Sequence, residues 1–507
     1  MNNKRKIFNT VFFSVLAMGV NYLINFFLTP FITENVGAEA YGFVSLSKNI
    51  ISYAGIITIA LNSYATRYIA VCYHRGEKHK SEIYFNSVFY ANIVLSCILF
   101  VMFLMGSLNI SHLLNVSNEL VEQVKLLFVL SGVTFCITTS FSVFSSSAYI
   151  KNQLDKVNIF KGLSYIAEAF ILILLFSLSN KYVWYVSLGT IVSSLILGIS
   201  NLVIFKKCTP EINISAKNIS ISSIKELVGN GIWNSLNSLG NMLNSGLDLL
   251  ITNLMLTSLE MGQLAIAKTI SSMFYGLFQL IAQPFQPIFL KDYSEKNNEK
   301  LIKDLKISMI CSGLFSNLAF AGFVGLGIEY YQLWIPSQDI NLIWILTIIT
   351  IFGSIIEGAV YPLYYIYTLT IKNKIPCIVT IIGGIANVIG MYLLIKYTNL
   401  GIYAVVITTA VIMTIINFIF NPLYMTKCLN VSKKTFYPYL FKHSLSCSIM
   451  TIVFYLIGKM NFRISWIYFV FKIILCIITG IIIHSSIFKI NIIRLLKNVE
   501  RGKTNEL

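Results

Sequence analysis

Charged residues are scarce in this chain. Only 12% of its 507 residues are Asp, Glu, Lys or Arg, about half the share of a soluble domain, whereas 56% are hydrophobic and the mean hydropathy is +0.74. A soluble protein needs charge to cover its surface, so most of this surface must face lipid. The composition therefore predicts an integral membrane protein without a sizeable soluble domain.

Motifs for catalysis and metal binding are also lacking. None of the nine cysteines belongs to a CxxC pair, which argues against a zinc site and against disulfides. There is no Walker loop, so ATP is not expected as the energy source. The net charge of +17 is spread in short clusters between apolar stretches, which disfavours nucleic-acid binding. We therefore predict no catalytic residue, no metal and no bound cofactor.

Apolar runs long enough to cross a bilayer recur along the whole chain. A spanning helix needs about 20 apolar residues. This criterion predicts an all-α membrane protein with about fourteen transmembrane helices. The predicted spans are residues 8–32, 40–66, 83–106, 122–149, 158–180, 183–205, 231–256, 260–289, 305–328, 341–369, 375–395, 400–426, 436–458 and 464–488.

Basic residues predict the orientation of these helices. If the N-terminus is cytoplasmic, three of the 38 Lys and Arg residues fall inside helices and five fall in outer loops. The others all lie in cytoplasmic segments. We therefore expect a multi-pass protein of the bacterial inner membrane with both termini in the cytoplasm.

An internal repeat occurs at a fixed shift of 220 residues. The segment Leu46–Ser52 aligns without a gap with Ile266–Ser272, so that Lys48 matches Lys268. A repeat unit of six helices keeps its orientation, which predicts two six-helix bundles related by a parallel repeat, plus a C-terminal helix pair. Further matched pairs are Asn21 with Asn241 and Gly42 with Gly262. The expected domains are residues 1–220, 221–430 and 431–507.

Polar side chains recur three or four residues apart on several predicted helices, which places them on one face of each helix. Unsatisfied polar groups in lipid cost several kcal/mol, so these faces must point inward. They either hydrogen-bond between helices or line a hydrated central cavity suited to sugar hydroxyls, and we favour the cavity. The candidate residues are Asn21, Asn25, Asn62, Asn234, Asn237, Asn241, Gln279 and Gln283.

Two lysines lie inside predicted helices at repeat-related positions, Lys48 and Lys268. Burying each costs about 2.5–3.5 kcal/mol on insertion scales, so each needs a partner or water. Asp248 on the preceding helix is placed to pair with Lys268, whereas its repeat equivalent is Leu28. Lys268 either forms this ion pair or contacts substrate. Lys48 lacks the matching acid and is the better candidate for an anionic substrate, unless it extends outward to the interface.

Three further charged residues lie inside predicted helices: Glu168, Glu357 and Lys472. Glu357 is in the middle of its helix and is a candidate for proton coupling or for a protonated structural carboxylate. Lys472 is expected to pack against a neighbour of the appended pair. We assign no role to Glu168.

The helix number, the repeat and the appended pair resemble the multidrug/oligosaccharidyl-lipid/polysaccharide (MOP) exporter superfamily, which includes the MATE transporters. Within it, the segment Pro30–Gly42, the run Arg67–Ala70 and the basic loop with Gly76 look like the start of Wzx-type polysaccharide flippases. The segment Ala267–Met273 is similar to the corresponding second-half segment. The resemblance implies a MATE-like fold. It also implies a flippase that moves undecaprenyl-pyrophosphate-linked oligosaccharide to the outer leaflet by alternating access, for O-antigen of lipopolysaccharide, capsule or exopolysaccharide.

The resemblance also implies ligands and partners. Cavity cations would bind the pyrophosphate, and the candidates are Lys48, Lys268 and, at the cytoplasmic mouth, Arg67. Sodium or proton coupling is expected, and a polysaccharide polymerase with other assembly proteins would be partners. Alternative functions are ion-coupled drug export and, from another class, a membrane glycan polymerase or ligase. The candidate ion-coupling residues are Asp248, Glu357, Asn387 and Thr409.

Overall fold

The structure, a computed structural model, describes residues 2–178, 180–460 and 462–489, without the side chains of residues 2–8 and 11. Every regular element in these ranges is a helix. A chain in lipid must satisfy its backbone groups within each segment, and the α-helix does so for a sequence this apolar.

The long helices within the described ranges follow the predicted spans closely. The labels used below are α1 (2–36), α2 (38–74), α3 (Lys78–Leu108), α4 (Val121–Ile150), α5 (Leu154–Leu178), α6 (Tyr185–Cys208), α7 (221–255), α8 (Ser258–Ser294), α9 (Asn298–Trp334), α10 (Ile340–Leu369), α11 (Lys374–Tyr397), α12 (Ile402–Leu429), α13 (Tyr437–Gly458) and α14 (Trp466–Phe488).

Twelve helical stretches of the described chain are long and apolar enough to cross a membrane. The first, Phe12–His74, has 63 residues and is about 95 Å long at about 1.5 Å per residue, roughly three times the hydrocarbon thickness. Gly37 interrupts it with φ 85° and ψ 166°, outside the helical region. This stretch therefore holds two spans, α1 and α2.

Helix α7 is not among the twelve, because its asparagines lower its hydropathy. It begins as Ile221–Asn241, widens into a π-helical turn at Met242–Gly246 and continues as Asp248–Met255. With α7 included and α1 and α2 counted separately, the described chain has about fourteen transmembrane helices. The predicted all-α membrane fold is confirmed.

The chain divides into two compact units. The first comprises Met1–Met242 and Thr252–Gly262, and the second comprises Leu243–Ile251 and Gln263–Leu507. The division thus lies inside α7 and not at the expected boundary near residue 220. The segment expected as a third domain, 431–507, belongs to the second unit.

Close packing of α7 on α2 explains why the first half of α7 belongs to the first unit. A Cβ atom added at Gly231 would lie 1.9 Å from the carbonyl oxygen of Ala60, so only glycine permits this approach. One turn further, the hydroxyl of Ser235 donates a hydrogen bond of 2.7 Å to the carbonyl of Ile56. The boundary is therefore set by helix packing and not by the sequence repeat.

In the second unit, α9 packs against α10, α13 and α14. Lys472 on α14 forms an ion pair of 2.7 Å with Glu329 on α9, and their side chains are only 3% and 11% exposed. His484, also on α14, hydrogen-bonds to Ser446 on α13 and to the carbonyl of Ile310 on α9. The appended helices are thus joined to this unit by buried polar contacts.

Replacing Gly231 with alanine should weaken the α2–α7 contact. The added methyl group meets backbone atoms that cannot move aside, and we expect a loss of about 2–3 kcal/mol of stability. Gly229 lies one half-turn away with open space around it, so Gly229→Ala is the matched control and should be neutral or slightly stabilising. Thermal unfolding in detergent measures both variants, and equal melting temperatures would contradict the packing argument.

Candidate functional site

Lys48 lies on α2, ten residues after the helix begins, and its side chain is exposed. Within the first unit it lines two adjacent cavities, of about 30 and 180 Å³. The smaller has room for about one water molecule and has polar walls. Its amide and hydroxyl groups come from α1 and α2, and they belong to Asn21, Asn25, Thr29, Tyr41 and Ser45.

The polar stripe of α1 is held together by short-range hydrogen bonds. The side-chain amide of Asn25 donates to the backbone carbonyl of Asn21 at 2.8 Å and to its side-chain oxygen at 3.2 Å. The hydroxyls of Thr29 and Tyr41 lie 3.3 Å apart and link α1 to α2. The structure thus brings the predicted residues Asn21 and Asn25 into the same cavity as Lys48.

Glu168 on α5 lines this cavity as well, and sequence reasoning missed its role. Its side chain passes over Gly189 on α6, where a Cβ atom would lie 3.3 Å from the Glu168 Cγ atom. Ser193 lies close enough to the carboxylate to interact with it, and Lys48 is the cation that acts on it. No carboxylate of the described residues lies within 4 Å of the Lys48 ammonium. The two charges therefore attract each other without a direct ion pair.

Asn62, further along α2, forms reciprocal hydrogen bonds with Asn92 on α3. Each side-chain amide donates to the oxygen of the other, at 3.0 and 2.9 Å. Asn92 also donates to Ser142 at 3.2 Å. In this structure Asn62 therefore joins helices, which is the alternative role considered for such residues.

Arg67 is on α2 too, nineteen residues after Lys48, so the two lie about 28 Å apart along the helix. It lines a separate cavity where α2 ends, together with His74 and Arg75. The structure therefore does not bring Arg67 and Lys48 into one site.

Lys268 on α8 forms the ion pair that the sequence left open. Its ammonium lies 2.5 Å from a carboxylate oxygen of Asp248 and 2.5 Å from the carbonyl of Ser245. That carbonyl belongs to the π-helical turn of α7. The side chains are 20% and 3% exposed for Lys268 and Asp248, so the pair is largely buried. Lys268 thus has an internal counter-ion, and its repeat partner Lys48 does not.

Three of the four ion-coupling candidates are connected in the second unit. The side-chain amide of Asn387 on α11 donates to the Thr409 hydroxyl at 3.1 Å and to the carbonyl of Asn244 at 2.7 Å. Thr409 on α12 in turn lies close enough to the carboxylate of Asp248 to interact with it. Polar residues from α7, α11 and α12 thus surround a carboxylate whose cation is the ammonium of Lys268.

The fourth candidate, Glu357 on α10, lies elsewhere. It is buried, and the groups on which its charge acts are Tyr275, Tyr361 and Tyr364. Among the described residues, no Lys, Arg or His nitrogen lies within 4 Å of its carboxylate. Glu357 thus has an environment of its own, apart from Asp248.

The amide candidates on α7 and α8 differ in their surroundings. On α7 the side chains of Asn234, Asn237 and Asn241 are exposed. On α8, Gln279 is half-buried and hydrogen-bonds to Tyr275 and Tyr361. The exposed Gln283 opens a short 3₁₀ turn, Gln283–Phe285, inside α8. The contacts of Gln279 are with other side chains of its own unit.

A model of the family described as polysaccharide biosynthesis protein matches residues 7–292, more than half of the chain. The chain belongs to this family. It is 28% identical over 423 residues to "Uncharacterized membrane protein EpsK" of Bacillus subtilis (strain 168), an alignment that covers 83% of this chain and 84% of the relative. The predicted membership of a family of polysaccharide biosynthesis proteins is confirmed.

Several solved structures share the fold. The lipid II flippase MurJ, in an inward closed conformation, superposes with a TM-score of 0.66 at 16% identity, over 96% of this chain and 98% of that one. An inward-facing MATE multidrug transporter of the MOP superfamily gives 0.63 at 17% identity, over 83% and 96%. This protein is accordingly a multi-pass membrane protein with the predicted MATE-like fold.

The contrast between the two lysines predicts different effects on stability. Lys268→Ala leaves Asp248 buried without its cation, and we expect a loss of about 3 kcal/mol. Lys48→Ala removes an exposed ammonium without a direct partner, and we expect a change of about 0.5 kcal/mol or less. Melting temperatures in detergent compare the two repeat-related variants. A Lys48→Ala variant as unstable as Lys268→Ala would show that Lys48 is structural.

Proposed function

We propose that this protein moves an undecaprenyl-pyrophosphate-linked oligosaccharide from the cytoplasmic to the outer leaflet of the bacterial inner membrane. The product would be used for O-antigen, capsule or exopolysaccharide. The observation that carries the proposal is Lys48, an ammonium ten residues inside α2. It lines a small polar cavity and a larger, mostly apolar one, and no carboxylate of the described residues lies within 4 Å of it. A cation in that position favours an anionic ligand.

The groups around Lys48 suit a glycosylated diphosphate. An ammonium binds phosphate as a compact charge with rotatable donors. Asn21 and Asn25 supply amide groups, and Ser45 supplies a hydroxyl, around the same small cavity, which would have to widen to admit a diphosphate. Amides both donate and accept, which allows them to bind sugar hydroxyls or phosphate oxygens.

The position of Glu168 also supports the proposal, because its carboxylate would compete with an anionic ligand for Lys48. Its carboxylate acts on Lys48 from across the cavity and also interacts with Ser193. A diphosphate carries more negative charge than one carboxylate and can approach the ammonium directly. Substrate binding would therefore replace a weak internal attraction with a stronger one, and Glu168 would keep the site from holding anions too tightly.

Lys268 affects the choice of coupling ion. A sodium ion at Asp248, Asn387 and Thr409 would have to displace an ammonium that already lies 2.5 Å from the carboxylate. Glu357 has no such cation among the described residues, so we favour coupling to protons through Glu357. Dependence of transport on a proton gradient but not on sodium tests this choice.

Drug export by the same fold is the alternative function. Cationic drugs need an available carboxylate, but Asp248 is bonded to Lys268 and Glu357 is buried among tyrosines. The cavities beside Lys48 in the first unit are lined by a cation instead. We therefore favour an anionic lipid-linked glycan, and expect a polysaccharide polymerase and other assembly proteins to act on the translocated product.

Replacing Lys48 tests the proposed function. Lys48→Ala should lower surface polysaccharide at least about tenfold in a complemented deletion strain, since one charge-assisted contact is worth about that factor. Lys48→Arg should retain part of the activity because it keeps the charge. Extracted polysaccharide and membrane protein levels are measured together.

The matched control is Lys80→Ala, which removes an exposed lysine of the same unit. It should leave polysaccharide unchanged. Wild-type polysaccharide from Lys48→Ala at normal protein levels would refute the proposed role of Lys48. A drug-susceptibility panel on the deletion strain tests the alternative function, drug export.

Glu168→Gln should strengthen anion binding at Lys48. The amide keeps the size of Glu168 but removes the charge that competes with the ligand. We expect the affinity for a soluble prenyl diphosphate to rise by about threefold to tenfold, the range of one partly screened charge interaction. Isothermal titration in detergent measures it, with Glu122→Gln, an exposed acid on α4, as control. Weaker binding by Glu168→Gln would mean that Glu168 supports the ligand and does not compete with it.

A further inference from the structure

A second basic cavity lies where α2 ends. It has a volume of about 780 Å³ and is lined on one side by Arg67, His74 and Arg75. Tyr149 and Asn152, from the end of α4 and the turn that follows it, line the other side. This cavity belongs to the first unit, and the anion site at Lys48 does not include it.

The sequence places these groups together by simple periodicity. Positions 67 and 74 differ by seven residues, so their side chains share one face of α2, and Arg75 follows directly in the turn after the helix. Opposite them, Asn152 has φ 50°, a left-handed conformation that asparagine tolerates, and it reverses the chain between α4 and α5. This tight turn holds Tyr149 and Leu154 across the cavity from the arginines.

Both arginines of the cavity lack an acidic partner. Within the part of the chain that the structure describes, no carboxylate lies within 4 Å of either guanidinium, and none of the eight lining residues is acidic. The positive charge of this cavity is therefore not neutralised by a direct ion pair, although Glu77 acts on Arg75 from a greater distance.

The lysines of the same surface are engaged elsewhere. Lys80 pairs with Glu77 at 2.9 Å, and Lys78 lies 3.9 Å from Glu211. Lys151 lies over the ring of Tyr73, whose hydroxyl donates to Glu211 at 2.6 Å and holds the pKa of that carboxyl below its usual value. Glu77 and Glu211 thus have lysines or Tyr73 as their direct partners, and Glu226 is bonded to Tyr84. The two arginines are left without a direct acidic partner. Arginines that served only to set the orientation of the helices in the membrane would not need to line a cavity.

The cavity is also partly apolar. Ala70, Val71 and Leu154 lie beside the arginines, and the side chains of Val71 and Tyr149 are 39% and 55% exposed. Guanidinium groups bind phosphate through two parallel hydrogen bonds, and apolar neighbours suit a hydrocarbon chain attached to it. The combination fits a phosphate or diphosphate ester of a lipid better than a free anion.

We propose that this cavity binds the diphosphate headgroup of a prenyl lipid at the membrane face where α2 ends, as a loading site distinct from Lys48. The identity of that lipid rests on the proposed function. Arg67 and Lys48 lie about 28 Å apart along one helix, so a single diphosphate cannot contact both. The headgroup would bind at the arginines first and at Lys48 after it has moved through the membrane.

Binding of farnesyl diphosphate to the full-length protein in detergent tests this site. The Lys48→Gln background removes the other anion site, and Arg67→Gln/Arg75→Gln is introduced into it. We expect the affinity to fall by about a hundredfold, about tenfold for each charge-assisted contact. The matched control is Lys78→Gln/Lys80→Gln, which removes the same charge from the same surface outside the cavity and should change affinity less than about twofold.

Two results would overturn the proposal. An equal loss in both double variants would mean that surface potential alone attracts the ligand, and unchanged affinity in the arginine variant would mean that no site exists there. Inorganic pyrophosphate is the second ligand to be measured in this assay. It should bind at least about tenfold more weakly than farnesyl diphosphate, because it lacks the chain that the apolar wall would cover. Equal binding of the two would refute the lipid part of the proposal.

This assay measures binding without transport, so it separates the loading site from the proposed function. If Lys48→Ala leaves polysaccharide intact while the arginine variant loses farnesyl diphosphate, the role of Lys48 fails and the loading site stands. If Lys48→Ala abolishes polysaccharide while the arginine variant binds normally, the loading site fails and the proposed function stands.

Discussion

A charge inside the membrane must be neutralised or hydrated, and this constraint determines how the three intramembrane lysines of the chain are used. Lys472 is buried against Glu329 and fixes α14 to α9. Lys268 is paired with Asp248 but keeps a fifth of its side chain exposed. Lys48 has polar cavities and a distant Glu168 in place of a direct partner. The less complete the internal compensation, the more a lysine can gain from an external anion.

The repeat gives two equivalent lysines whose surroundings differ. Lys48 and Lys268 occupy the same position of equivalent helices, each ten residues after the helix begins. Asp248 has no equivalent in α1, where Leu28 stands, and the compensating charge for Lys48 comes instead from α5. A duplicated backbone thus provides two similar positions, and the residue on the neighbouring helix decides whether the lysine has a direct carboxylate partner.

Sequence reasoning succeeded where the determining interactions are local. Helix spans follow from apolar length, and the Lys268–Asp248 pair was foreseeable because the residues lie on consecutive helices, twenty positions apart. Glu168 lies 120 positions from Lys48, and no periodicity connects them. The Asn62–Asn92 pair and the contact of Gly231 with Ala60 likewise depend on which helices pack together. These choices are made by tertiary packing, which leaves no signal in the local pattern of either partner.

Helix α2 connects the two proposed anion sites, and the connection constrains their strengths. A continuous helix holds Arg67 and Lys48 about 28 Å apart, so a headgroup must leave the first before it reaches the second. Transport requires each site to bind firmly enough to be occupied and weakly enough to release. Two arginines without direct acidic partners make the first site strong. Strong binding is needed there because the lipid-linked ligand is dilute among the other lipids of the membrane. A single lysine, whose charge is partly offset by Glu168, makes the second site weaker. The headgroup can then be released from Lys48 on the far side of the membrane.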